Sequence, residues 1–135
     1  MIKLYGIANC DTVKKARLWL ATQGVEHQLH DFKKHGVPVD RLPAWASAVG
    51  TDLLLNRQGT TWRKLVAAEQ ASAGHGAGAL ALMLAYPSLI KRPVVEWAGE
   101  AGRISVGFDA DQWQSRLQAG QLYSGLRNQI PPKQL

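Results

Sequence analysis

The chain has 135 residues, 46% of them hydrophobic, which is enough for one core that buries about two-thirds of the unfolded surface. Its formal charge of +6 and pI near 9.8 favour anionic partners without separating nucleic acid from an anionic small molecule. A single cysteine excludes an internal disulfide, and the most apolar run, Ala77 to Ile90, is broken by Tyr86-Pro87 short of the roughly 18 residues of a membrane span, so the cytoplasm is the expected compartment.

Ile2 to Gly6 is a β-prone run that stops at a glycine. From Asp11 onward Val13, Ala16 and Leu20 recur at helical spacing until Gly24 ends the pattern. His27 to Phe32 alternates weakly and reads as a second strand, parallel to the first because a helix makes the crossover. The opening is therefore a βαβ unit.

Beyond the Lys33 to Gly36 turn the pattern is helical. Leu42, Trp45, Ala46 and Val49 share a face, with Asp40 as the expected cap and Gly50 as the stop. A short Leu53 to Leu55 segment leads to Asn56-Arg57-Gln58-Gly59, Thr61 is a candidate cap, and Leu80, Met83 and Leu84 line a helix that ends before Pro87. Gly74-His75-Gly76-Ala77-Gly78 lacks the strand and the Lys-Ser/Thr of a phosphate loop and reads as a flexible linker.

Val94 to Trp97 and Arg103 to Val106 are β-prone and joined by a five-residue loop suited to an antiparallel hairpin. Asp109 caps a helix predicted to reach Leu117, and the tail 120–135 shows little periodicity and is compatible with partial disorder. This order describes an α/β sandwich with a mixed sheet and one domain over 1–119.

Basic pairs such as Lys14-Lys15, Lys33-Lys34 and Lys91-Arg92 are scattered, as on a solvated surface, so neither nucleic acid nor membrane is an expected partner. The four histidines share no metal-ligand spacing with the cysteine, and no metal site is expected. The five tryptophans read as packing residues.

A lone cysteine is most often a small buried hydrophobe, but Cys10 sits where a strand gives way to a helix. There its sulfur could meet unpaired amides and the positive end of the helix dipole, with Lys14 one turn on and Asp11 opposing ionisation. Val13 stands where a two-cysteine motif would hold its second thiol, so turnover requires an external thiol.

Four ordered motifs resemble the arsenate reductase and Spx family, and its YffB-like branch in particular. They are Tyr5 to Ala16 around Cys10, Leu55-Asn56-Arg57, Pro87 to Val95, and Ser105-Val106-Gly107-Phe108. The resemblance implies a thioredoxin-like fold: a mixed four-stranded sheet with a helical insertion after the second strand, at about 38–86. It implies Cys10 as the catalytic cysteine, Arg57 and Arg92 as anion-binding arginines flanking the thiolate, and Pro93 as a cis-proline. Thr12 and Lys14 complete the expected binding set.

On this footing the chain reads as a glutathione-dependent thiol reductase with no bound cofactor, glutathione as co-substrate and glutaredoxin as a recycling partner. Two alternatives stand beside it: an arsenate reductase, and an Spx-like regulator that docks on RNA polymerase. Asp11 in place of glycine, and Gly107 where the arsenate reductases carry a further arginine, disfavour arsenate. The absent second cysteine disfavours a redox-switch regulator.

Overall fold

The computed structural model describes residues 1–97 and 103–129, with side chains to residue 119. The chain runs β1 (Ile2–Gly6), α1 (Asp11–Thr22), β2 (His27–Asp31), then α2 (Phe32–His35), α3 (Arg41–Val49), α4 (Thr51–Leu54), α5 (Thr60–Lys64), α6 (Ala67–Ser72) and α7 (Gly76–Ala85). A 3₁₀ turn at Pro87–Leu89 leads to β3 (Val94–Glu96), β4 (Ile104–Val106) and α8 (Ala110–Gln129).

The sheet order is β2-β1-β3-β4. β1 pairs parallel with β2, Leu4 facing Leu29, and antiparallel with β3, Leu4 facing Val95. β3 and β4 pair antiparallel, with Val95 opposite Ser105. The sheet is therefore mixed, as the crossover and hairpin readings require, and the six helices α2 to α7 between β2 and the 3₁₀ turn form the helical insertion expected after the second strand. The loop 98–102 of the hairpin and residues 130–135 lie outside the described residues.

Strand alternation sends side chains to two apolar layers. Ile2, Leu4, Val95 and Trp97 pack with Ala16 and Leu20 of α1 and Trp113 of α8. Tyr5, Val94 and Ile104 face the insertion, where Leu42, Trp45, Leu54, Leu82, Met83, Leu89 and Ile90 close the other layer. Trp113 is fully buried and meets Trp97, Phe108 and Trp19 edge-on, at 5.0, 4.7 and 5.9 Å between ring centroids.

Several local expectations are corrected. Asp40 occupies the position before α3 but makes no capping bond, whereas Asp109 caps α8 by accepting from the Gln112 amide at 3.1 Å. The helix after Gly59 starts at Thr60, so Thr61 lies inside it rather than at its cap. α7 buries Ala79, Leu82 and Met83, one residue out of register with the predicted Leu80, Met83 and Leu84 face. The glycine run is only partly a linker: Gly76 opens α7, and a Cβ on Gly78 would overlap the Ser72 carbonyl, so Gly78 lets α6 and α7 close on each other. α8 extends past Leu117 to Gln129, giving the first part of the tail helical backbone.

Candidate active site

Cys10 is held in a turn closed by its own amide on the Ile7 carbonyl (3.0 Å), and its carbonyl accepts the first helical bond of α1 from the Lys14 amide (2.9 Å). It is thus the residue before the first turn, with extended backbone, and its sulfur lies over amides that no earlier turn can satisfy. The thiol is half-buried and packs against the insertion-side layer.

Burial pushes the thiol pKa up, but the groups around the sulfur outweigh it. The Val13 amide, the Arg92 guanidinium and the Thr12 amide all favour the charged form, and so does the positive charge of Arg92. The thiol ends below its ordinary value. Among the described residues no donor closes a capping hydrogen bond of full geometry on the sulfur, so these are oriented dipole and charge contacts that a thiolate would tighten.

Arg92 comes from the far end of the chain, on the turn into β3. Its Nη1 donates to the carbonyls of Ser88 (3.0 Å) and Ile90 (3.4 Å), which fixes the guanidinium, while its buried Nε has no hydrogen-bond partner among the described residues. The Arg92–Pro93 peptide is cis. Pro93 is buried and its carbonyl accepts the Gly107 amide at 2.9 Å, joining the start of β3 to the end of β4.

Gly6 is what lets these parts meet. A Cβ there would lie 2.9 Å from Val13 Cγ2, too close without a shift, and in ordinary contact with Arg92 Cβ at 3.6 Å, so a side chain at the end of β1 would press on Val13, whose amide favours the thiolate. Gly6 lies within the recognised motif, but only the packing assigns it this role.

The other expected site residues are placed differently. Thr12 offers its backbone amide, and its exposed side chain makes no hydrogen bond among the described residues. The Lys14 side chain is exposed; what it supplies is the amide that bonds the Cys10 carbonyl. Arg57, expected beside the thiolate, is instead exposed, paired with Asp52 at 3.2 Å and laid over the Trp62 ring at 5.6 Å from its centroid. Among the described residues, no contact joins it to Cys10.

A second polar cluster escaped the sequence reading. Glu96 on β3 accepts from the Tyr5 hydroxyl at 2.5 Å, from Nε and Nη2 of Arg41, and from Trp45 Nε1 at 3.4 Å. Burial pushes the Glu96 carboxyl up, and the hydrogen bonds from Tyr5 and Arg41 overturn this and leave it below the ordinary carboxyl value. Burial, followed by the Glu96 carboxylate, raises the Tyr5 phenol. The cluster ties α3 to the sheet.

Among the described residues no group of three or more histidine, cysteine, aspartate or glutamate side chains could hold a metal, and no helix is long and apolar enough to cross a membrane.

The ArsC family model matches residues 5–116 of this chain. The solved structure of the YffB protein is 45% identical, with a TM-score of 0.79 over 85% of this chain and 97% of its own. An arsenate reductase (ArsC) related protein from Brucella melitensis is 43% identical, with a TM-score of 0.66 over 84% of this chain and 92% of its own. The global transcriptional regulator Spx of Streptococcus pyogenes is 27% identical over 83% of this chain and 81% of its own.

Proposed function

This chain belongs to the ArsC family, and from that premise we propose that it is a glutathione-dependent thiol reductase of the cytoplasm, with Cys10 as nucleophile. The family and its arsenate-reductase-related members support a reductase of the thiol or arsenate kind. The observation that carries the finer reading is the setting of the sulfur: the start of α1 and the Arg92 guanidinium together favour a thiolate on the one cysteine of the chain.

The Cys10 thiolate attacks the glutathione sulfur of a mixed disulfide R–S–S–G. The S–S bond breaks, R–S⁻ leaves and takes up a proton, and Cys10–S–S–G forms. A second glutathione thiolate then attacks the glutathionyl sulfur, releasing oxidised glutathione and restoring the Cys10 thiolate. Over the cycle R–S–S–G and one glutathione thiol become R–SH and oxidised glutathione, so no second cysteine of the chain is needed. Glutaredoxin is a further route for the second step.

Weighing the reduced protein after exposure to oxidised glutathione tests the reading. One glutathionyl adduct, absent from Cys10→Ser and removed by fresh glutathione, is the expected result. An inert Cys10 would refute it, and retention of RNA polymerase on immobilised protein irrespective of Cys10 would favour the regulator instead.

A further inference from the structure

Beside Arg92 lies a recess of about 170 Å³ between α5 and the 3₁₀ turn, walled by Asn56, Thr60, Thr61, Trp62 and Ser88. Its volume is below the several hundred Å³ of pockets that enclose a whole small ligand, so it suits one arm of a larger molecule. The wall is rich in donors. Asn56 Oδ1 is used internally, accepting the Gln58 amide at 3.0 Å, which leaves its amide nitrogen over Gly59. The hydroxyls of Thr60, Thr61 and Ser88 make no hydrogen bond among the described residues, and no carboxylate lines the recess.

Arg92 carries the connection. The same guanidinium whose charge favours the Cys10 thiolate also lines the recess, so one fixed positive charge serves both places. Neutral donors around one fixed positive charge fit a carboxylate better than an ammonium or an apolar group.

We propose that this recess is a carboxylate-binding subsite that seats the non-sulfur arm of an acidic thiol while the sulfur of that thiol meets Cys10. The inference rests on the thiol-reductase reading and adds to it the source of selectivity: the enzyme distinguishes thiols by the charged arm rather than by the sulfur.

The test compares two disulfides, oxidised glutathione, which carries carboxylates, and bis(2-hydroxyethyl) disulfide, which carries none. Second-order rate constants for mixed-disulfide formation at Cys10 are measured for the parent and for Thr61→Val/Ser88→Ala. The parent should favour glutathione, and the ratio of the two constants should fall about a hundredfold in the variant, the lower end for two lost hydrogen bonds to a charged group. As a second measurement, S-methylglutathione, which has the carboxylates but no reactive sulfur, should protect Cys10 from iodoacetamide in the parent more than in the variant.

An unchanged ratio together with unchanged protection overturns the subsite while leaving the reductase reading standing. A parent that reacts with neither disulfide takes down the reductase reading and the subsite with it.

Discussion

Replacing Arg92 with alanine is expected to raise the Cys10 thiol pKa by about one pH unit. An opposite charge within hydrogen-bonding range shifts an ionisable group by about 1–3 units. The lower end applies because Cys10 is half-open to water and the Val13 and Thr12 amides remain in place. One unit corresponds to about 1.4 kcal/mol of lost preference for the thiolate. The kinetic consequence has a sign that depends on pH. Below both pKa values the thiolate population falls about tenfold, while each thiolate becomes about threefold more nucleophilic, so alkylation slows about three- to fourfold. Above both values the variant reacts faster, and the two pH–rate curves cross.

Stability follows the same linkage. The folded thiol pKa is depressed, so its contribution is fully present above the unfolded thiol pKa and is lost as pH falls through the folded value. The stability deficit of Arg92→Ala should therefore grow as pH rises through that window. Thiolate absorbance against pH and iodoacetamide rates provide the assay, with Arg92→Lys expected to fall between parent and alanine because it keeps the charge but not the planar fork. An unchanged thiol midpoint, or rate curves that do not cross, would refute the assignment of Arg92 to the sulfur.

Gly6→Ala should cost roughly 1 kcal/mol, an overpacking penalty against buried Val13 partly offset by reduced chain entropy, and should raise the Cys10 pKa; urea unfolding and thiol titration check both effects. Glu96→Ala leaves the buried Tyr5 hydroxyl without its acceptor and should cost about 1–3 kcal/mol in the same unfolding assay, with Glu96→Gln milder. Because the folded Glu96 pKa is depressed, the parent keeps this stability above the unfolded carboxyl pKa and loses it as pH falls through the folded one, a dependence that Glu96→Gln should lack. Arg57→Ala should move the Cys10 titration far less than Arg92→Ala, since Asp52 and Trp62 hold that guanidinium; an equal shift in thiolate absorbance would return Arg57 to the sulfur. Arsenate turnover with glutathione and glutaredoxin should be slight, because Gly107, at φ +84°, occupies the place of a further arginine in a backbone conformation that disfavours a side chain.

What was legible in the sequence is what neighbouring residues decide. The 3.6-residue spacing of Val13, Ala16 and Leu20 after a β-prone run specified β1, α1 and the parallel β2, and so set Cys10 at the start of a helix. Such patterns depend on chain geometry within a few turns, and the hairpin of β3 and β4 was readable for the same reason. The motif resemblance added the architecture of the insertion.

Tertiary packing alone decided the rest. Residues 79–84 are apolar on every side, so periodicity could not say which face of α7 is buried, and contact with the insertion layer chose it. Both arginines of the expected anion site are far from Cys10 along the chain, and nothing local distinguishes them. Packing against Gly6 and the fixed Ser88 and Ile90 carbonyls delivered Arg92 to the sulfur, while Asp52 captured Arg57. The Tyr5–Glu96–Arg41 cluster was hidden for a related reason: charges at separate places in a sequence carry no sign of partnership until the sheet register brings β1 and β3 side by side and α3 is packed across them.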